Sequence, residues 1–514
     1  MYNINKATYM LNEKINKTIC RLAILGGIIL RVVQFLYRRS LTEGEAPLAM
    51  NIIERSFNGL TKTLDYNQAA PIGFLMVEKL FTLMLGTGEI ALRLFPLIAG
   101  IAALYLFYRL VKQTTDDTAV VFAMILFAVC DHIIYFTSEV KPYSTDVALT
   151  LIITLLGYSI IKSKSSVNLK YLLIFSFIAA ISFWFSFPAV FIWLGIMSII
   201  FYQLIKKQIT WYTLIISAVI PAMSIFLYYL ISLRFIANQG SLVNVWQSAF
   251  MPLPPRSFAD IKWFLFVPLR MFKFPAGFSV YELTLALMCF LTGFIAYIKE
   301  KKSILAVLLL PILITMLASG FKIYPFEGRL LLFLTPALLM IISQGLSHIY
   351  KSLRSKSMIA AYALLMIFFL YPVGSAAYRL IKPRAPEELR PGLLYILEHQ
   401  QTDDIIYVYY ASENAFKYYT YQLRSIPEHI IGIESRNYWP AYYQDLAKLR
   451  GKKRVWVIMS HIARTFGVDE EKLFLAYLDE LGQQQKYIQF PGAAVFLYDM
   501  SVPINQPILQ TPLR

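Results

Sequence analysis

The stretch ICRLAILGGIILRVVQFLY, residues 19–37, is a mostly apolar run long enough to cross a membrane as a helix, which takes about 20 residues. It is followed at once by RRSLTEGEAPLAM, residues 38–50, which carries two carboxylates, Glu43 and Glu45. Ionisable side chains inside a membrane are costly and usually have a function, so two carboxylates directly after a spanning segment need an explanation. The stretch therefore predicts a first transmembrane helix that opens into an acidic loop.

The composition places the whole chain in the membrane class. Of its 514 residues, 58% are hydrophobic and 15% are charged, which is more apolar surface than one soluble core can hide. The formal net charge of +17 could indicate nucleic acid, but the lysines and arginines lie mostly in short clusters between apolar runs, as cytoplasmic anchors do. Nucleic acid is therefore not an expected partner.

Apolar runs of spanning length predict about eleven transmembrane helices. The expected crossings are 19–37, 89–111, 118–136, 146–162, 170–186, 188–205, 211–233, 281–298, 303–320, 329–347 and 358–376. Every second connection is basic, with residues such as Lys112, Lys164, Lys206 and Lys299. The positive-inside rule then places the N-terminus in the cytoplasm, and an odd number of crossings places the C-terminus outside.

The outward-facing segments carry most of the remaining polar residues. In the first outer loop, LAMNIIERSFNGLTKTL has apolar residues at helical spacing with a polar face, which predicts a helix that lies in the membrane interface. GFLMVEKLFTLML could be a second such helix, because a short crossing there would move the later basic clusters outside. The tail contains strand-like runs, such as DDIIYVYY and KRVWVIMS, that alternate with helical patterns. We therefore expect a polytopic α-helical membrane domain over 1–376 and an outer α/β domain over 377–514.

The second outer loop, YFTSEVKPYSTDVALTL, is short and dense in polar groups. Proline is tolerated in the first turn of a helix, so the fourth crossing should begin at Pro142. Asp146 then lies in the first turn, where the helix dipole favours an anion, and Tyr143 lies on the same turn. Glu139 and Lys141 would lie in the loop just outside. These residues are candidates for catalysis and for substrate binding.

Further ionisable residues lie near the predicted outer surface. Asp131 and His132 come close to the outer end of the third crossing, and we expect them to face the interior of the bundle and to bind substrate. Arg93, Lys322 and Arg329 lie on the outer side, against the positive-inside trend. Cations in such places suit an anionic ligand such as a phosphate, although pairing with a nearby carboxylate would also explain each one.

Carboxylates and cations at the same membrane surface suit chemistry on a lipid phosphate. A carboxylate can deprotonate an acceptor hydroxyl, while Arg and Lys stabilise a departing phosphate. An acidic residue next to a crossing can also be a solvated helix cap, and for Glu43 alone that interpretation stays open.

The chain resembles the GT-C membrane glycosyltransferases, within them the bacterial group related to glycosyltransferase family 39, the protein O-mannosyltransferases and the lipid A aminoarabinose transferases. The resemblance rests on EAPLAMNIIERS, LDYNQAAPIGFL, EIALRLFPLIAG, FTSEVKPYSTDV and YPFEGRLLLFLTP. It implies a sugar donor carried on polyprenyl phosphate and transfer, usually with inversion, to an acceptor glycan, lipid or protein at the periplasmic face of the bacterial inner membrane. Metal use varies among the related enzymes, so a divalent metal ion is the one cofactor that it allows.

The same resemblance gives roles to single residues. Members of the group show an Asp-Glu pair in the first outer loop, and EAPLAMNI puts Glu45 on the glutamate and Gly44 on the aspartate that would be the base. Either Glu43 or Glu45 takes that role, or the activity is altered or lost. Glu139 would orient the acceptor or help to hold a metal ion, and Arg329 would bind the donor phosphate.

Two other functions compete with the enzyme. A transporter or flippase of a lipid-linked solute would also hold ionisable residues in a bundle, but its site would lie near the midplane between repeated halves. Here the ionisable residues gather at the outer ends, and the sequence contains no recognisable repeat. The other alternative, favoured by Gly44, is an inactive relative that binds a lipid-linked sugar. The sequence favours the glycosyltransferase.

Overall fold

A computed structural model of the chain describes residues 2–163, 167–234, 246–423, 427–465 and 467–501. Lys164, residues 235–245 of the predicted outer loop and the last residues of the tail lie outside the described residues. The chain forms two compact units. The first comprises Met1–Tyr37, Arg55–Met84 and Ile90–Pro383, and the second comprises Arg38–Glu54, Leu85–Glu89 and Arg384–Arg514.

Helices make up most of the chain as far as residue 381. They are α1 (Tyr2–Leu36), α2 (Ala46–Glu54), α3 (Ile72–Leu85), α4 (Glu89–Thr114), α5 (Asp117–Val129), α6 (Asp131–Tyr135), α7 (Tyr143–Ser163), α8 (Leu169–Phe185), α9 (Ala189–Ile205), α10 (Trp211–Tyr228), α11 (Phe258–Lys273), α12 (Val280–Glu300), α13 (Lys302–Gly320), α14 (Thr335–Arg354) and α15 (Met358–Ile381). A 3-10 segment, Gly328–Leu334, leads directly into α14.

The predicted polytopic membrane class is confirmed. Within the described residues, eight helices are long and apolar enough to cross a membrane, or up to nine when the bent pair of α5 with the segment after it is taken as one span. The two remaining predicted crossings correspond to α8 and α9, which are apolar but shorter. Each predicted crossing therefore matches a helix of the structure, whereas α3 of the first outer loop is not among the candidate spans.

The third predicted crossing is not one straight helix. It bends by 51° at Cys130, where the backbone is extended, and a short new helix begins at Asp131. The break puts the Asp131 carboxylate in a first helical turn, where the dipole favours it, and Arg379 of α15 donates a hydrogen bond to it at 2.9 Å. The crossing was predicted from the length and hydropathy of an apolar run, and neither property indicates a bend.

Helices α12 and α14 pack with their backbones almost in contact. A Cβ atom added to Gly293 would lie 1.9 Å from the Ile341 carbonyl oxygen, and one added to Gly345 would lie 1.8 Å from that of Cys289. Small residues allow membrane helices to approach this closely. These two glycines therefore fix the contact between the two helices of the first unit.

The second unit contains, among its described residues, a five-stranded sheet of order β2-β1-β3-β7-β6. Its strands are β1 (Ile405–Val408), β2 (His429–Ile431), β3 (Val455–Ser460), β6 (Gln483–Phe490) and β7 (Ala493–Asp499), with a small separate pair, β4 (Arg464–Thr465) and β5 (Val468–Asp469). Its helices after residue 384 are α16 (Leu389–His399), α17 (Glu413–Leu423), α18 (Pro440–Leu446) and α19 (Glu470–Leu481).

The direction of the strands follows from their connections. Strand β1 is parallel to β2 and to β3, and helices lie between them in the chain, as parallel pairing requires. Strand β7 is antiparallel to β3 and to β6. All residues of β1 and β3 are buried, because both faces of the sheet are covered. The predicted α/β character of the tail is confirmed.

Helix α2 differs from the predicted interfacial helix. It ends at Glu54, and Ala46 to Ile53 are all buried, including the one polar side chain, Asn51. The Asn51 amide is satisfied within the helix, since it donates to the Pro47 carbonyl at 2.8 Å. The helix is therefore a buried element of the second unit, where it packs on α17.

Candidate functional site

The acidic loop of the second unit is held in place by Glu45. Its carboxylate forms a fully buried ion pair with Arg39, with Nη1 to Oε2 at 2.5 Å. The same oxygen accepts hydrogen bonds of 3.2 Å from the backbone N–H and the hydroxyl of Thr42. These contacts join Thr42 to Glu45 directly before α2, which begins at Ala46. The Glu45 carboxylate thus contacts residues of the loop itself.

Glu43, two residues earlier, is in a different position. Its Oε1 accepts a hydrogen bond from the side-chain amide of Asn414, and its backbone N–H donates to Glu387 Oε2 at 2.8 Å. Its second oxygen, Oε2, is buried and receives no hydrogen bond from any of the described residues. Of the two predicted base candidates, Glu43 is the one with an oxygen available to a substrate.

The environment of Glu43 also changes its protonation. Burial raises the pKa of the Glu43 carboxyl to about 7. The Asn414 hydrogen bond and the charge of His461 oppose that rise, whereas Glu387 and Glu413 add to it. A carboxyl whose pKa lies near neutral pH can take up a proton and release it again, which is the property that general base catalysis requires.

The rest of the loop is tied to the tail by hydrogen bonds within the second unit. Glu388 accepts from the backbone N–H and the hydroxyl of Ser40 at 3.1 and 2.9 Å, and the Tyr419 hydroxyl accepts from the Leu41 N–H at 2.7 Å. Arg390 pairs with Glu89 at 2.6 Å, and Glu89 also accepts from Tyr419. The loop is therefore fixed on both sides of Glu43.

The first unit holds a second group of predicted residues. Glu139, Lys141, Tyr143 and Asp146 are all buried around the start of α7. The helix begins at Tyr143, one residue after the predicted start, with Asp146 in its first turn. The Arg329 guanidinium lies 5.9 Å from the centre of the Tyr143 ring, and Tyr143 is within electrostatic range of Glu139 and Asp146.

Two residues that the sequence analysis did not single out complete this group. The Gln68 side chain accepts a hydrogen bond of 2.7 Å from Lys141 Nζ. Tyr324 lies within electrostatic range of Tyr143 and Asp146, and its hydroxyl donates to the Leu330 carbonyl at 2.9 Å. The group therefore combines two carboxylates, two cations and two phenols in one region of the first unit.

The remaining predicted site residues occupy three separate places. Arg93 is buried in α4. Lys322 is exposed and lies in a turn with a positive φ of 58°. Asp131 and His132 line a cavity of about 80 Å³ together with Arg379, and the His132 ring packs edge to face on Phe274.

The side chains around Glu43 were missed because they come from distant sequence. Asn414, Glu387 and His461 all belong to the tail, and Asn414 follows Glu43 by 371 residues. None lies in a motif that suggests chemistry, so only the fold brings them to the loop.

A metal site has no support from the described residues. Within them, no three side chains of His, Cys, Asp or Glu come close enough together to hold an ion.

The fold is shared with solved membrane proteins of low sequence identity. The chain is similar to ArnT from Cupriavidus metallidurans bound to undecaprenyl phosphate, with a TM-score of 0.52 and 10% identity over 92% of this chain and 97% of that one. It is also similar to the oligosaccharyltransferase of Archaeoglobus fulgidus in the apo form, with a TM-score of 0.52 and 12% identity over 95% of this chain and 75% of that one. The fold is therefore similar to those of these two solved structures, and the predicted GT-C-like fold class is confirmed.

Residues 69–240 match the family described as dolichyl-phosphate-mannose-protein mannosyltransferase. This segment contains the second outer loop with Glu139 and Tyr143 but not Glu43 or Glu45. No curated protein sequence matches the chain.

Proposed function

We propose that this protein transfers a sugar from a polyprenyl-phosphate donor to the hydroxyl group of an acceptor glycan, lipid or protein. The reaction takes place at the periplasmic face of a bacterial inner membrane, with the N-terminus in the cytoplasm and the α/β domain outside. Support comes from the membrane-spanning helices, from the family model of a dolichyl-phosphate-dependent transferase, and from the similarity of fold to an ArnT structure that contains undecaprenyl phosphate.

The observation that carries the proposal is the state of Glu43, whose Oε2 is buried without a protein partner and whose pKa is raised to about 7. Glu43 accepts the proton of the acceptor hydroxyl. The oxygen uses the freed electron pair to form a bond to the anomeric carbon of the sugar. The bond from that carbon to the phosphate oxygen breaks, and its electrons stay on the polyprenyl phosphate. Direct displacement of this kind inverts the anomeric configuration.

The leaving phosphate needs positive charge. Arg329 and Lys141 are the cations of the first-unit group, and Arg93 is a third, buried cation of the same unit. An Arg fork and a Lys point charge both suit phosphate oxygens, and their charge offsets the negative charge that develops as the bond breaks. We assign Arg329 and Lys141 to the donor phosphate, and Tyr143, Asp146 and Glu139 to the orientation of the substrates.

The experiment is a transfer assay with the purified protein in liposomes and a panel of polyprenyl-phosphate-linked hexoses and pentoses. Release of polyprenyl phosphate is measured for the wild type, Glu43→Gln and Arg329→Ala. We expect turnover of at least one donor, loss of turnover in Glu43→Gln, and a raised donor KM in Arg329→Ala. Saturable donor binding without turnover would instead indicate the inactive binder, and movement of an intact donor across the bilayer would indicate the flippase.

A further inference from the structure

His461 lies directly after β3, at the edge of the sheet where the parallel strands β1 and β3 end. In open α/β sheets this carboxyl edge is where ligands bind. Two hydrogen bonds between Ser460 and Ser412 hold this edge. The Ser460 N–H donates to the Ser412 hydroxyl at 2.7 Å, and that hydroxyl donates to the Ser460 carbonyl at 3.2 Å. His461 itself has a positive φ of 52°, which is uncommon outside glycine and recurs at functional sites.

Glu387 joins His461 to Glu43. One of its oxygens is 2.8 Å from His461 Nδ1, and the other accepts the Glu43 backbone N–H at 2.8 Å. The hydrogen bond to Glu387 raises the pKa of His461, and the charge of Glu43 raises it further, while Arg436 acts in the opposite direction. The imidazolium is therefore favoured next to a carboxyl that has to be ionised in order to act as a base.

We propose that His461 is a positioning residue of the site, which Glu387 holds in its charged form so that it keeps the Glu43 carboxylate ionised. The catalytic part of this inference rests on the proposed function. The effect of the His461 charge on the ionisation of Glu43 does not depend on whether the protein transfers a sugar. Asn414 acts on the same carboxylate through a hydrogen bond, and Glu413 and Glu387 act against ionisation through their negative charge. Among these side chains, His461 is the one that supplies positive charge.

The test uses His461→Asn, because asparagine tolerates a positive φ and carries no charge. Loss of the imidazolium should move the acid limb of kcat/KM to higher pH by about 0.5 to 1 unit, a modest shift because His461 is half exposed. The rate should therefore fall about threefold to tenfold at pH 6 and stay unchanged on the alkaline plateau. His461→Lys should move the limb back, since Lys322 shows that lysine adopts a similar φ in this chain.

The control is His399→Asn, because His399 ends α16 and bonds to the Tyr395 carbonyl. It should leave the pH profile unchanged. A lower plateau with an unmoved limb in His461→Asn would mean a structural role and would overturn the proposal.

A second measurement does not depend on turnover. Infrared titration of the full-length protein in nanodiscs follows the protonated carboxyl band that Glu43→Gln removes. His461→Asn should raise the titration midpoint of that band, and an unchanged midpoint would overturn the proposal even in an active enzyme. A raised midpoint in a protein that transfers none of the donors would retain the electrostatic role of His461 and reject the proposed function alone.

Discussion

Replacement of Glu43 by glutamine tests the assignment of the base. The change keeps the size of the side chain and an oxygen that can accept the Asn414 hydrogen bond, but it removes the ability to take up a proton. General base catalysis by a positioned side chain contributes about 10² to 10⁴ in rate. We therefore expect kcat of Glu43→Gln to fall by that factor, while the donor KM stays close to that of the wild type.

The pH dependence of kcat/KM tests the same assignment. Because the pKa of Glu43 is raised to about 7, the basic form is present above that pH and is lost as the pH falls through it. The ionised fraction is about 9% at pH 6 and about 1% at pH 5 for a group with this pKa. The kcat/KM of the wild type should therefore fall about tenfold for each pH unit below 7, and this limb should be absent in Glu43→Gln.

The assay measures the release of polyprenyl phosphate between about pH 5 and pH 9. A saturating donor concentration gives kcat, and a limiting one gives kcat/KM. Glu398→Gln is the matched control, because Glu398 is an exposed carboxylate on α16 of the same unit. It should leave both the rate and the limb unchanged. A Glu43→Gln protein that retains the limb with more than a tenth of the wild-type rate would refute the reasoning and return the role of base to another carboxylate.

Three further changes test other parts of the structure. Arg39→Met removes the cation of a fully buried ion pair, so it should lower the free energy of unfolding by about 3 to 5 kcal/mol, and Glu45→Gln in the same chain should recover part of the loss, as followed by thermal unfolding. Arg329→Ala should raise the donor KM about tenfold or more, and Arg329→Lys should raise it less, since lysine keeps the charge and loses the fork, as measured with donor titrations. Gly345→Ala should cost about 1 to 3 kcal/mol, because its Cβ would meet the Cys289 carbonyl, whereas Gly26→Ala should cost little, because a Cβ there meets no atom within 4 Å.

The membrane architecture could be predicted from the sequence because its signal is local. A run of apolar residues reports a spanning helix by itself, and the basic connections gave a consistent order of loops. The start of α7 followed from Pro142 in the same way. The bend at Cys130 was not predicted, since length and hydropathy carry no signal for it, and neither was the contact of Asp131 with Arg379 of a helix far along the chain.

The candidate site could be predicted only in part, for the same physical reason. The carboxylates of RSLTEGEAPLAM were recognised as candidates, but the sequence could not tell Glu43 from Glu45. The difference lies in their partners: Arg39 and Thr42 occupy Glu45, while Asn414 and Glu387 leave one oxygen of Glu43 without a hydrogen bond from the described residues. Arg39 and Thr42 belong to the same stretch as Glu45, whereas Asn414 and Glu387 are part of no motif and are brought to Glu43 by the fold of the tail.

The second unit is assembled from segments that a ribosome makes far apart in time. Glu43 is synthesised 371 residues before Asn414. At about 5 to 20 residues per second, the acidic loop waits roughly 20 to 75 s for that partner, while the helices between them are made. During this interval its ion pair of Arg39 with Glu45 and the Glu43 side chain lack most of their neighbours. A chain that stops before residue 384 would carry the loop and all the helices up to α15, yet it would never build the surroundings of Glu43.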